Sequence, residues 1–241
     1  MPVVATYNVH SCVGRDGHHE PARVAAVIRE LRADVVALQE VDAQHRAGLF
    51  TDQWQYLAEA LGCLCIPGIS LRTHRNVFGN ALLTRHPVRA VRLHDISVAE
   101  REPRGVIDAD LMVEGRLVRV IATHLGLKLR ERRRQVGRLV EILKTHPGGP
   151  VPLVGTVLLG DLNEWRPIAG SLGRLTHWFH PAPAPASFPS RYPVLPLDRI
   201  LAGGGVRPTT ITTHRSRLAR IASDHLPVRA VLSWASGPSS V

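Results

Sequence analysis

The apolar positions along the chain follow two rhythms. Val3 to Val9 is short, rich in β-branched residues and followed by a loop holding Gly14 and Gly17, the pattern of a buried strand. Pro21 suits the first turn of a helix, and Val24, Val27, Ile28 and Leu31 recur at i, i+3, i+4 and i+7, so Ala22 to Arg32 has one apolar face. Asp34 to Val41 reads as a second apolar strand. Strand, helix and strand in that order predict a βαβ unit, whose parallel strands end on the same side.

The same reasoning predicts a helix over Gln53 to Leu61 with Gly62 as its stop. Strands follow at Asn80 to Thr84 and Val106 to Val113, and Glu114-Gly115 turns the chain into Leu117 to Thr123. Leu129 to Leu143 is the clearest helix, with Val136, Leu139, Val140 and Leu143 on one face and Arg130, Arg132, Arg133 and Arg134 crowding its first turns. Pro147-Gly148-Gly149-Pro150 breaks it, and Val157 to Leu159 is a further buried strand. Pro181 to Pro196 is a proline-rich loop, and Leu197 to Leu201 and Val228 to Trp234 are the last core strands. No repeat or shift in composition marks a boundary. Residues 1–234 are therefore expected to form a single mixed α/β (α+β) domain, a two-sheet sandwich with outer helices, and 235–241 a flexible tail.

Polar residues suited to catalysis repeatedly end the apolar strands. Asn8 ends the first, Glu40 the second, His124 a middle one, and Asp161 with Asn163 a later one. Burying a carboxylate alone is costly, so Glu40 after Val35-Val36-Ala37-Leu38 must be paired, metal-bound or at a rim. In an extended Gly160-Asp161-Leu162-Asn163, Asp161 and Asn163 would point to one side and place a carboxylate and an amide in one cleft. The carboxylate can orient and deprotonate a water, while the amide holds that water or a phosphate oxygen. Asp/Asn turns have the same composition. In Ser223-Asp224-His225 the adjacent side chains diverge, Asp224 suiting a hard cation and His225 a substrate. Asp198 is the candidate acceptor for the other nitrogen of His225.

Composition narrows the setting. The 241 residues carry a net charge of +10, which favours phosphate-bearing partners. The charge says less than its size suggests, because Lys128 and Lys144 are the only lysines among 30 basic residues, a skew toward arginine that resembles coding bias more than a binding patch. Cys12, Cys63 and Cys65 offer no disulfide framework and read as free thiols in a reducing compartment, so a cytoplasmic location is expected. No apolar run approaches the ~20 residues of a transmembrane helix.

Taken in order, Tyr7-Asn8-Val9-His10, Leu38-Gln39-Glu40-Val41, Gly79-Asn80-Ala81-Leu82, Thr123-His124-Leu125, Gly160-Asp161-Leu162-Asn163, Leu197-Asp198-Arg199-Ile200 and Ser223-Asp224-His225 resemble the endonuclease/exonuclease/phosphatase superfamily, over Val3 to Leu232. The resemblance implies a four-layer α-β-β-α sandwich that hydrolyses phosphoester bonds with Mg²⁺ or Mn²⁺. It implies that Glu40, with Asn8 and Asp224, holds the cation, and oxygen ligands of this kind suit a hard divalent ion. Asp161 would position or deprotonate the attacking water, Asn163 would hold the phosphate or the water, and His225, oriented by Asp198, would contact the scissile phosphate. Asn80 and Arg104 sit where the family often places phosphate contacts. His124 resembles the DNase I, sphingomyelinase and inositol-phosphatase branches, and would give a proton or hydrogen bond to the leaving oxygen or the phosphate.

The expected activity is a metal-dependent phosphodiesterase, with DNA or RNA as the first substrate and the arginines of Lys128 to Arg134 and Arg215 to Arg220 as phosphate contacts. The alternative is the same chemistry on a small or lipid-linked phosphoester, although no amphipathic membrane helix supports a lipid. A silent nucleic-acid-binding module would have lost Glu40, Asp161 or His225, and all three are present. No obligate protein partner is expected.

Overall fold

Alternation along each strand decides which of three apolar layers a side chain enters. The computed structural model describes residues 1–46, 49–73, 76–146, 148–166 and 170–235; Pro147 and the expected tail beyond residue 235 lie outside them. One sheet runs β11 (Val206–Thr213), β12 (Val228–Trp234), β1 (Val3–Asn8), β2 (Val35–Arg46), β5 (Asn76–Thr84) and β4 (Leu64–Arg72), with β3 (Leu49–Asp52) paired to β2. The other runs β10 (Asp198–Gly204), β9 (Leu153–Asp161), β8 (Arg116–His124), β7 (Gly105–Val113) and β6 (Val88–Asp95). Val4, Val35, Ala37 and Leu82 of the first sheet meet Ile107, Val120, Ala122, Val157 and Leu159 of the second in a shared apolar layer. The alternate residues Ala5, Tyr7, Val36, Leu38 and Leu83 face α1 (Pro21–Leu31) and α2 (Gln53–Leu61). Ile121 and Leu158 face α3 (Leu129–Lys144) on the far side. The result is the four-layer α-β-β-α sandwich that the sequence predicts.

β1 and β2 pair in parallel across α1, as the βαβ reading requires. α2 ends where expected, with Gly62 in the left-handed region at φ 59°. The sequence reading missed β3, β4, β6 and β11. The last three are sheet edges, and β6 alternates half-buried and exposed residues along its length. An edge strand buries less than a central one, so its apolar signal is diluted, and Pro67 and Gly68 obscure β4 further. β2 runs on to Arg46, past the expected end at Val41.

A buried ion network ties the second sheet to α3. Asp108 on β7 is fully buried and accepts hydrogen bonds from Arg119 Nε and Nη2 at 2.9 and 2.7 Å, and from Arg92 Nε and Nη2 at 2.9 Å. Arg119 Nη2 also donates to the carbonyls of Ile142 at 2.8 Å and Thr145 at 3.2 Å, satisfying the C-terminal end of α3. Burial acts to raise the Asp108 pKa, but the two guanidiniums hold it well below the usual carboxylate range. Asp108→Asn leaves Arg119 buried without its counter-charge and is expected to cost about 3–5 kcal/mol in urea unfolding at neutral pH. Because the folded-state pKa is depressed, the carboxylate's contribution is complete above its unfolded value and fades as pH falls below about 4. Wild-type stability should therefore drop more steeply than that of the variant between neutral and acid pH.

Candidate active site

The site forms where the shared apolar layer runs out at one end of both sheets. In the second sheet His124 lies beside Asp161 in the β8–β9 register, and Asp161 beside Asp198 in the β9–β10 register. All three share the inner face with Ala122, Leu159 and Ile200, so the strand pairing itself lines them up. Gly160 makes the β8–β9 approach possible, since a Cβ there would lie 1.9 Å from the Thr123 carbonyl oxygen. From the first sheet, Asn8 ends β1 on the inner face, and Asn80 on β5 reaches across to donate from Nδ2 to the Gly105 carbonyl at 3.3 Å.

Glu40 arrives by a different route. Strict alternation would put it with Val36 and Leu38 against the helices. Instead the β2–β5 register shifts between Leu38 and Val41, and Glu40 adopts φ 56°. Gln39 keeps the inward facing of Val35 and Ala37 and accepts from the Thr6 hydroxyl at 3.2 Å, and the bulge turns Glu40 to the same side, where Oε1 accepts from Asn8 Nδ2 at 3.0 Å. A left-handed non-glycine residue costs about 1–2 kcal/mol, and such strain concentrates at functional sites.

Asp161 is the hub. Its side chain, about 2 % exposed, accepts from Asn8 Nδ2 at 3.1 Å and from the Asn163 backbone N–H at 3.0 Å, with His124 Nε2 at 3.5 Å and His225 Nε2 at 3.7 Å from Oδ2. Burial, and then the charge of Asp198, push its pKa up to about 6, against the pull of His225. His225 Nδ1 sits 2.8 Å from Asp198 Oδ2, which also accepts from Ser187 Oγ at 2.5 Å. The Phe188 ring packs on the imidazole with centroids 4.8 Å apart. Burial acts to lower the His225 pKa, but Asp198 and then Asp161 outweigh it and raise it to about 10. The imidazolium thus stands between two aspartates, with the Nε2 proton directed to the Asp161 side.

Two departures from the sequence reading are local. Asn163 is not extended but sits at φ 51°, so the 161–163 segment is an Asx turn that still brings both side chains to the cleft. The Asn163 amide donates to the Leu125 carbonyl at 2.8 Å and lies 3.1 Å from His124 Nε2. His124 was expected as a proton or hydrogen-bond donor. Burial, then Arg104 and His225, drive its pKa well below 6.5, so it is neutral at pH 7 and acts as a hydrogen-bonding group. Arg104 is itself buried, held by both Glu102 oxygens at 3.0 and 3.1 Å, with Nη1 3.4 Å from His124 Nδ1.

Ser223 Oγ donates to the Asn8 carbonyl at 2.8 Å and to Asp224 Oδ1 at 3.3 Å, placing that carboxylate beside Asn8 at the cleft mouth. Glu40 bonds the Asn8 side chain directly, Asp224 is linked to the Asn8 main chain through Ser223, and among the described residues no cationic side chain pairs with Glu40. Asn8 Oδ1 accepts one hydrogen bond, from His10 N at 3.1 Å, and keeps a second lone pair. A half-buried carboxylate that pairs with no cationic side chain among the described residues and is bonded to the Asn8 amide suits a hard divalent cation. Asp161, Asp198 and His225 also bring ligand atoms within 4.8 Å of one another, but both His225 nitrogens face carboxylates, and the ring is better described as a cation held by two anions.

Several supporting residues had no signal in the sequence. Ser187 and Phe188 act through contacts with Asp198 and His225 that no local pattern announces. Arg132, expected among the exposed phosphate contacts of α3, is buried: Nη1 donates to the Leu127 carbonyl at 2.7 Å, Nε to Ser171 Oγ at 3.2 Å, and Nη2 pairs with Glu164 at 3.4 Å. It braces the loops after β8 and β9, because its position on α3 faces those loops and not solvent. Arg130, Arg133 and Arg134 remain exposed.

Fold and site together define a phosphoester-processing sandwich, and residues 5–225 match the model of the endonuclease/exonuclease/phosphatase family. The chain belongs to that family, which supports a phosphoester hydrolase. It is 30 % identical to the Escherichia coli protein YbhP over 221 residues, 84 % of each chain. An endonuclease/exonuclease/phosphatase from Beutenbergia cavernae superposes with a TM-score of 0.78 at 23 % identity, over 99 % of this chain and 73 % of the other. The Bacteroides thetaiotaomicron mannosyl-6-phosphatase Bt3783 does so with 0.73 at 15 % identity, over 97 % and 100 %. Both likenesses are of fold.

Gly160→Ala should force β9 away from β8 at His124 and Asp161. Overpacking of this kind costs about 1–3 kcal/mol, to be read as a lowered denaturation midpoint. Gly115→Ala, at a turn where a Cβ meets nothing within 4 Å but φ is 76°, provides the comparison for backbone strain without a clash.

Proposed function

We propose that this protein is a divalent-metal-dependent hydrolase of phosphodiesters. The observation that carries the reading is the convergence of Asn8, His124, Asn163 and His225, from both sheets, on the buried Asp161 carboxylate. A water held by Asp161 and the Asn163 amide loses its proton to Asp161 as it attacks phosphorus. His225, fixed at Nδ1 by Asp198, presents its Nε2 proton to the negative charge that grows on the phosphoryl oxygens. Neutral His124, Asn80 and Arg104 add hydrogen bonds along the cleft, and Glu102 keeps the Arg104 guanidinium in place. Glu40, Asn8 and Asp224 would hold Mg²⁺ or Mn²⁺, which supplies Lewis-acid neutralisation of the phosphate and the leaving oxygen when bound.

Nucleic acid is the polymeric substrate that fits this chemistry. Its support from the arginine-rich segments is thinner than the sequence suggested. Arg132 is internal, and Arg220 spends Nη1 on the Arg191 carbonyl at 2.9 Å. The fold also carries a protein named as a mannosyl-6-phosphatase, so fold alone does not separate diesters from monoesters.

The purified protein should hydrolyse bis-p-nitrophenyl phosphate faster than p-nitrophenyl phosphate with Mg²⁺ or Mn²⁺, and EDTA should abolish turnover. Asp161→Asn should lower kcat by about 10²- to 10⁴-fold with its fold intact by circular dichroism. Equal turnover by wild type and variant would defeat the reading. For the cation, Glu40→Gln should raise the metal concentration at half-maximal rate, and an unchanged requirement would remove Glu40 from the site.

A further inference from the structure

Among the described residues, setting aside the N-terminal Met1, the three most exposed large apolar side chains all lie on loops that build the site. Leu127, 70 % exposed, follows His124 in the loop after β8. Tyr192 and Val194, 69 % and 70 % exposed, belong to the loop whose Ser187 bonds Asp198 and whose Phe188 packs on His225. Trp165, 50 % exposed, follows Asn163. Arg132 joins two of these loops, since it holds both the Leu127 carbonyl and the Glu164 carboxylate next to Trp165. Single exposed apolar residues are ordinary, but their concentration on the loops of a polar cleft is not.

Cations accompany them. The Arg166 guanidinium lies over the Trp165 ring at 5.4 Å, and that of Arg191 over Tyr192 at 5.2 Å. Arg15 donates to the Arg220 carbonyl at 3.1 Å, and Arg220 to that of Arg191, so a basic run follows the same side of the site. Aromatic rings paired with arginine could serve a nucleic-acid strand. Leu127 and Val194 could not, because an aliphatic side chain has no face on which a base stacks. Aliphatic tips, Trp and Tyr rings and flanking arginines on one end of a protein with net charge +10 complement an anionic lipid surface, where apolar groups enter the acyl boundary and arginines stay at the phosphates.

We propose that the catalytic end of the molecule docks on an anionic bilayer through Leu127, Trp165, Tyr192 and Val194. The docking is independent of the hydrolase reading above. The test is co-sedimentation of the intact protein, in EDTA, with vesicles of phosphatidylcholine containing phosphatidylglycerol and with phosphatidylcholine alone. Wild type should bind the anionic vesicles and lose binding as salt rises, and the Leu127→Asp/Val194→Asp double variant should bind about tenfold more weakly or worse. The same variant should retain wild-type turnover of soluble bis-p-nitrophenyl phosphate, which shows that it is folded. No binding by wild type, or equal binding by the double variant, would overturn the docking surface. A loss of single-stranded oligonucleotide binding in the variant, without vesicle binding by wild type, would overturn it in favour of nucleic acid. Vesicle binding with no hydrolysis of any diester would leave the surface standing and defeat the hydrolase reading instead.

Discussion

Burial of one apolar layer between two sheets is the constraint on which the rest of the structure depends. Each central strand must give alternate side chains to that layer and the others to a helix, so its direction and register are fixed within one residue. Where the layer ends, the inner-face positions continue for one more step, and that step is Asn8, Asn80, His124, Asp161 and Asp198. The cleft is therefore the polar end of the core and needs no separate scaffold. Its side chains inherit the rigidity of the strands that carry them.

Charge in this position is costly, and the arrangement shows how the cost is offset. Asp161 and Asp198 lie side by side with almost no solvent, and His225 stands between them as their shared counter-charge. Arg104 plays a different part. Glu102 pairs with it, and burial together with its proximity keeps His124 uncharged, so the cleft holds one cationic and one neutral imidazole. Among the described residues Glu40 has no such partner, and the bulge that brings it to Asn8 leaves a carboxylate facing the cleft mouth. A bound divalent cation would complete that balance.

The outer loops add a second level of organisation. Arg132 and Glu164 form a buried pair that binds the loop after β8 to the loop after β9. The same pair fixes the bases of the segments bearing Leu127 and Trp165, so catalytic spacing and the apolar character of the rim are set by one contact. The cis Phe188-Pro189 loop does likewise on the other side, with Phe188 on His225 and Tyr192 and Val194 pointing outward. The chemistry of the cleft and the surface around it are thus products of the same loops.

Central strands, the three longer helices and the polar residue at each strand end were legible in the chain, because period-2 and period-3.6 burial and the motifs at strand ends are written in consecutive residues. Edge strands β4, β6 and β11 were not, since each exposes much of its length, whereas the edge strand β10 is mostly covered and was read. Side-chain composition made Asn8, Glu40, Asp161, Asp224 and His225 candidates. It could not show that a bulge reverses Glu40, that Asn163 sits in a left-handed turn, or that Arg132 is internal while its neighbours are exposed. These depend on which groups meet across more than a hundred residues of chain, as Asn8 meets Asp161 and Ser223. Local sequence determined the elements and the chemical types at their ends; tertiary contact alone decided their charge states, their facing and their partners, because those follow from burial and proximity, which no single segment possesses.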